Sequence, residues 1–172
     1  NVAIGNNSLQ SNTTGNSNIA IGSAALILNT TGKQNIAVGD SALYTNTIGQ
    51  YNVAVGYKAL NANTTAGSNV AVGGYSLQLN TIGNYNIAMG ESALWANTTG
   101  HSNVAIGHVA LTTNTTGSQN AAVGYRALYS NTIGNYNVAL GYEASRQNTT
   151  GQYNVAIGFN ALYSSTICQY NV

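Results

Sequence analysis

The stretch "NVAIGNNSLQSNTTGNS" at residues 1–17 is followed at once by a variation of itself, "NIAIGSAALILNTTGKQ", at residues 18–34. Each copy begins with asparagine, and the copies are 17 residues apart throughout the chain. A fixed period of this length indicates a solenoid or a related repeat array. The 172 residues hold ten full units, and Asn171 and Val172 begin an eleventh. We expect one repeat domain over residues 1–172, cut from a longer protein, since neither end carries a polar capping unit.

The units share the pattern N-[VI]-A-[IV]-G-x-x-A-L-x-x-N-T-[TI]-G-x-x, whose positions we number from 1 to 17. Two glycines per unit and the many Asn, Thr and β-branched residues exclude a long helix. Short extended segments fit better, the first at "NVAIG" and the second at "ALxxNT". The sequence therefore predicts an all-β fold, a parallel β-solenoid of ten 17-residue coils with two short strands per coil. Asparagine columns at positions 1 and 12 are expected to form hydrogen-bonded ladders between coils.

Composition limits the partners of such a chain. Only 4% of its residues are charged and its net charge is +1, so it has no basic surface for nucleic acid. No apolar run approaches the ~20 residues of a membrane-spanning helix. We therefore expect no nucleic-acid partner and no membrane insertion in this segment.

Both faces of the first predicted strand are apolar. Side chains alternate along a strand, so positions 2 and 4, mostly Val or Ile, share one face and position 3 lies on the other. The coil interior can cover only one of these faces, and a strand of this kind is usually buried on both. We therefore expect position 3 to form an interface with another copy of the chain. Alanine occupies it in every unit: Ala3, Ala20, Ala37, Ala54, Ala71, Ala88, Ala105, Ala122, Ala139 and Ala156.

The motifs "NVAIG", "NIAIG" and "NIAVG" resemble the head repeats of YadA-type trimeric autotransporter adhesins and the repeat arrays of bacteriophage tail fibres. The resemblance covers the whole chain, although the family motif usually includes a serine after the asparagine and has a shorter coil. It implies a left-handed β-roll, three chains around one axis, and the motif strand on the inside of the trimer.

Titratable side chains are too sparse to predict a catalytic site, and we expect neither an enzyme nor a bound cofactor or metal. Stacking by the period places Glu91 beside His108 and Arg126 beside Glu143, which we interpret as surface ion pairs. Cys168 stands where most units have glycine, and we interpret it as local drift rather than a cross-linking site. The six "NTT" triplets and "NNS" at Asn6 fit the N-glycosylation pattern, but an Asn/Thr-rich turn explains them as well.

Aromatic residues are densest after residue 120, where stacked rings could bind glycans or a receptor or could simply strengthen the coil stack. The candidate surface-binding aromatics are Tyr125, Tyr142, Phe159, Tyr136, Tyr153, Tyr170 and Trp95. Threonine fills position 13 of every unit and could form an ice-binding ladder or a turn satisfied within the coil.

The sequence predicts a structural rod outside a cell, on a cell surface or on a virion. Its expected partner is itself, as a homotrimer, with a neutral Asn/Thr/Tyr surface that meets glycans or a host receptor. A self-assembling extracellular filament or sheath is the first alternative, and an ice-binding solenoid is the second.

Overall fold

The computed structural model describes residues 1–171 and is a parallel β-solenoid from end to end. Each unit contributes one strand of three residues at positions 2–4, where β-branched side chains favour an extended backbone. The strands are β1 (Val2–Ile4), β2 (Ile19–Ile21), β3 (Ile36–Val38), β4 (Val53–Val55), β5 (Val70–Val72), β6 (Ile87–Met89), β7 (Val104–Ile106), β8 (Ala121–Val123), β9 (Val138–Leu140) and β10 (Val155–Ile157). Val172 lies outside the described residues.

The strands form a single ten-stranded sheet in which each pairs in parallel with its sequence neighbours. The register equals the repeat, so Ala71 lies opposite Ala88 and Val70 opposite Ile87. The predicted solenoid of 17-residue coils is thereby confirmed. The handedness of the coil and the number of chains around an axis stay predictions.

The second predicted strand, "ALxxNT", is wrong, because this segment consists of turns in every coil. Positions 7 and 9 have a left-handed backbone, as at Ser92 (φ 54°) and Leu94 (φ 53°), which no strand can accommodate. The segment nevertheless stacks on its copies, since the Leu94 amide donates to Ala110 O at 3.0 Å in the next coil. The turns bring the chain back toward its strand and aim the position 9 leucine inward, where it is buried as predicted.

The predicted interface at position 3 is also wrong: these alanines line the coil's own core. From Ala20 to Ala156 they are at most 1% exposed in a single chain, and only Ala3, on the outermost coil, is accessible. They pack with the position 8 alanines and the position 9 leucines in one continuous cluster. The interior has room only for small side chains opposite that leucine, so alanine is required there for packing within the coil.

Two asparagine columns complete the interior, as the sequence predicts. In coil 7, Asn103 binds the previous coil by donating from N and Nδ2 to Asn86 Oδ1, at 3.0 and 3.2 Å. Asn114 Nδ2 similarly donates to Asn97 Oδ1 at 2.9 Å. Both amides also donate to Gly117 O, each at 2.8 Å, so one carbonyl joins the two ladders inside the coil. Buried amides with these partners are satisfied, and each fixes the axial register of its coil.

Candidate interaction surfaces

The face of the sheet that points away from the core carries a strip of Val, Ile, Leu and Met at positions 2 and 4, interrupted once by Ala121. It follows from the inward placement of positions 1 and 3, because alternation sends positions 2 and 4 outward. Their exposure ranges from half-buried to 65% at Ile157. We call this surface the aliphatic strip. Its members with the greatest exposure are Val2, Ile4, Ile21, Ile36, Ile87, Met89, Ile106, Val138, Leu140 and Ile157.

The aliphatic strip is long and narrow. Nine coil-to-coil steps of ~4.8 Å give a length of ~43 Å, and two side-chain columns give a width of roughly 12 Å. The resulting area, roughly 500 Å², is in the range of the largest apolar patch on a typical monomer, about 300–600 Å², and such patches often mark interaction sites.

The predicted binding aromatics form two stacked ladders at the C-terminal end of the rod. At position 6, Tyr125 and Tyr142 stack at 5.1 Å between ring centroids, and Tyr142 and Phe159 at 5.2 Å. His108 extends this ladder by stacking on Tyr125 at 5.7 Å. Adjacent rings cover each other's faces, so internal rungs offer mainly their edges to a ligand.

The second ladder lies at position 17 and is still more regular. Tyr136 and Tyr153 stack at 4.8 Å with planes 5° apart, and Tyr153 and Tyr170 at 5.1 Å with planes 1° apart. The centroid separation is close to the ~4.8 Å spacing of the coils, so the rings repeat from coil to coil with nearly the same orientation. Trp95, the remaining predicted aromatic, stands apart and donates from Nε1 to Gln78 Oε1 at 2.7 Å. The structure thus groups six of the seven predicted aromatics into two ladders and leaves Trp95 outside them.

A charged cluster lies beside the position 6 ladder. Glu143 Oε1 is 3.6 Å from both Arg126 Nη1 and Arg146 Nε. The two guanidinium groups lie over aromatic rings, with Arg126 5.6 Å and Arg146 5.9 Å from the Tyr129 centroid. Arg146 also donates to the Tyr163 hydroxyl, which raises the pKa of Arg146 and keeps it charged. The sequence predicts the Arg126–Glu143 pair because both residues occupy position 7 of adjacent coils. It does not predict the contact with Arg146, which occupies position 10.

Glu91 and His108 form the second charged pair that the sequence predicts. Glu91 Oε2 and His108 Nε2 are 4.0 Å apart and both side chains are more than half exposed, as expected of a surface pair. Within residues 1–171 there is no pocket and no group of three side chains that could hold a metal ion. No helix in that range is long and apolar enough to cross a membrane.

The threonine column at position 13 is engaged in the stack. From Thr13 to Thr149, each hydroxyl donates to the position 13 carbonyl of the next coil, as Thr98 Oγ1 does to Thr115 O at 3.1 Å. Most of these side chains are partly buried. The column therefore serves the turn and leaves no free row of hydroxyl donors for ice.

The remaining sequence candidates are also placed by the fold. The asparagines of the "NTT" triplets occupy position 12; apart from the half-buried Asn12 they are buried in the ladder, so an attached glycan would prevent the coil from closing. Asn6, in "NNS", is exposed. Cys168 is exposed and is not in a disulfide, and its carbonyl accepts from Asn154 Nδ2 as glycine does in other coils.

The structure also shows exposed aromatics that the sequence reasoning missed. Tyr51 and Tyr85 occupy position 17 in coils 3 and 5 without a ring on either adjacent coil. Both belong to units that carry isoleucine at position 14, Ile48 and Ile82, and this pairing of Ile and Tyr is visible in the sequence.

Comparisons of the chain with protein-family models, curated proteins and solved structures find no match.

Proposed function

We propose that the chain is a structural segment of an extracellular or virion fibre, in which three copies pack through their aliphatic strips. The aliphatic strip is the observation that carries this proposal. It runs the whole length of the rod, and apolar surface of this extent is stabilised when it is removed from water, at ~25 cal/mol per Å². The YadA-like motif residues are those that build the strip, and this resemblance supports three chains.

The surface outside the strip fits a role in attachment. The variable positions 6, 7, 10, 16 and 17 lie on the corners and far side of the coil, whereas the invariant Asn of position 1 and Ala of position 3 lie in the interior beyond the first coil. In a rod of this kind, the outer residues can differ from coil to coil without disturbing the core. The ladders, the charged cluster and the lone tyrosines are then the candidate contacts with a glycan or a receptor.

A filament is the alternative, and the sheet edges favour it. Among the described strands, β1 pairs only with β2 and β10 only with β9, so the other edge of each could pair with a further coil or with another chain. Free edges of this kind template pairing with another chain. End-to-end growth would give indefinite polymers, whereas packing through the strip gives a closed oligomer.

The test is the mass of the chain in solution, measured by light scattering after size exclusion. The unaltered chain is expected at three times its monomer mass. Replacing Ile87 and Met89 by Lys puts charges on the strip without touching the core, and we expect a folded chain that no longer assembles. The matched control is Ser102→Lys on a corner, which should keep the full mass. A monomeric unaltered chain, or a double variant that assembles normally, would contradict the proposal.

A further inference from the structure

The corner at position 17 shows two arrangements of tyrosine along the same column. In coils 8–10 each coil contributes a ring, and Tyr136, Tyr153 and Tyr170 form a filled ladder. In coils 3–5 the rings are Tyr51 and Tyr85, and the coil between them carries Ser68. One rung of the ladder is therefore missing between two tyrosines.

The backbone of this corner is the same in both places. Tyr51 and Tyr85 have φ of 60°, against 56–58° for the three stacked tyrosines, and Ser68 has φ of 59°. The Ser68 amide donates to Gln50 O at 3.0 Å and the Tyr85 amide to Gly67 O at 3.3 Å, so coil 4 lies directly between its neighbours. Because rotamer preference follows backbone conformation, we expect the two tyrosines to take the orientation seen in the filled ladder. In that orientation their rings lie one above the other, two coils apart, which is ~10 Å at ~4.8 Å per coil.

The residues between the rings are the smallest at this corner. Coil 4 carries its glycine one position later than other units, so Gly67 and Ser68 together form a floor with almost no side chain. We call the gap between the rings of Tyr51 and Tyr85, with Ser68 between them, the notch, and the two tyrosines its walls. Tyr51 is 56% and Tyr85 67% exposed, so both walls lie in solvent. The spacing equals two rungs, which leaves room for one flat ring at the separation seen within the filled ladder, 4.8–5.1 Å from each wall.

We propose that Tyr51, Ser68 and Tyr85 form a binding site for one pyranose ring of a neutral glycan, which fills the missing rung. The C–H groups of a pyranose face carry partial positive charge and pack against the negative faces of aromatic rings. The Ser68 hydroxyl and the exposed Gln50 amide supply polar partners for sugar hydroxyls, and position 16 is uncharged in coils 3–5. A few polar groups beside an apolar contact are what fixes a ligand's orientation.

This site deepens the attachment role proposed above and rests on it. It lies on the corner that precedes the strand, beside the aliphatic strip. A single-ring site covers few atoms, and its dissociation constant should be on the order of 1 mM.

The experiment is a titration by saturation-transfer NMR with cellohexaose, maltohexaose and chitohexaose. The unaltered chain should bind at least one, and Ser68→Tyr should weaken that binding at least tenfold by supplying the missing ring. This variant should fold, because coil 9 already combines Tyr153 with a threonine at position 14. Tyr85→Ser removes one of the two rings that would contact the sugar, and it should also weaken binding at least tenfold. The control Tyr136→Ser shortens the filled ladder at its first ring without opening a gap between two rings, and it should leave binding unchanged.

The proposal would be overturned if none of the three sugars bound. It would also be overturned if Ser68→Tyr and Tyr85→Ser bound the sugar as tightly as the unaltered chain does. A tyrosine-containing peptide that binds the notch in place of the sugars would also overturn it, because the ligand would then be aromatic. Light-scattering mass on the same samples separates this inference from the proposed function. Trimers without sugar binding would contradict only the site, and monomers that bind sugar would contradict only the assembly.

Discussion

Glycine at position 5 is fixed by two constraints in coils 1–9. Gly90 has φ of 131°, a region that L-residues rarely adopt, and a Cβ there would lie 2.6 Å from Gly107 O. Gly74, at position 6, has an ordinary φ and open space where a Cβ would lie. The two glycines therefore differ in what they do, although their positions in the unit are adjacent.

Replacing Gly90 by Ala should lower the free energy of unfolding by about 3 kcal/mol or more, since the strain and the backbone clash add. Gly74→Ala should be neutral or stabilising by up to about 1 kcal/mol, because it only restricts the unfolded chain. Urea denaturation of both variants checks the difference. Equal effects of the two substitutions would show that position 5 does not need glycine.

Val109 is the least suited residue at its position. Position 7 is left-handed in every coil, and Val109 has φ of 51° although it is β-branched. Asn7 and Asn160 occupy the same position in other coils. Val109→Asn should raise the free energy of unfolding by about 1 kcal/mol, because asparagine tolerates this conformation. Val104→Asn should lower the free energy of unfolding, because asparagine is disfavoured in a β-strand such as β7. The thermal midpoints of the two variants measure this difference.

At the scale of the element, the buried asparagine ladder shows what one missing rung costs. Coil 10 has Ser165 where other coils have asparagine, and the buried Oδ1 of Asn148 has no hydrogen-bond partner. A serine side chain is too short to reach it. The ladder thus ends one coil early on this side of the core.

Ser165→Asn should restore the rung and stabilise coils 9 and 10 by about 1 kcal/mol, because an orphaned buried acceptor gains its donor. Amide hydrogen exchange measures this locally, and protection of the Thr149 amide should rise. The neighbouring exposed Ser164→Asn is the control and should change nothing. No gain in protection at Thr149 would show that Asn148 is satisfied in another way.

The strand and the turn differ in how far the sequence predicts them. The 17-residue period, the parallel pairing, the asparagine ladders and the inward leucine follow from pattern alone. The left-handed backbone at Ser92 and Leu94 does not, since neither residue type signals it. The face of Ala88 could have been predicted correctly from Asn86, because alternation puts both on one side and a buried asparagine ladder has to be inside.

At the scale of the whole molecule, the aliphatic strip and the notch depend on which residues lie beside each other in adjacent coils and on which face is buried. The repeat pattern of a single unit does not show either. Stacking at positions 6 and 17 is predictable from the period, but the exposure of the aliphatic strip depends on which face the core takes. The notch at Ser68 is visible only when units 3–5 are compared with units 8–10, because it is defined by a ring that is absent.

The rod is not expected to bind ice. The hydroxyls of the position 13 column, Thr98 among them, already donate within the stack, so the column has no row of free hydroxyl donors to order water. A solution of the chain should show no thermal hysteresis, measured by the growth of a single ice crystal below its melting point. Faceted growth with a measurable hysteresis gap would contradict this.

The central claim is that copies of the chain meet through the outward face of the sheet. Direct imaging of the purified chain by cryo-electron microscopy tests it most directly. We expect short rods of three chains, with Ile87 and Met89 facing the common axis and the Tyr51–Tyr85 corner turned outward. Rods with the aliphatic strip on the outside, or long filaments joined end to end through β1 and β10, would contradict it.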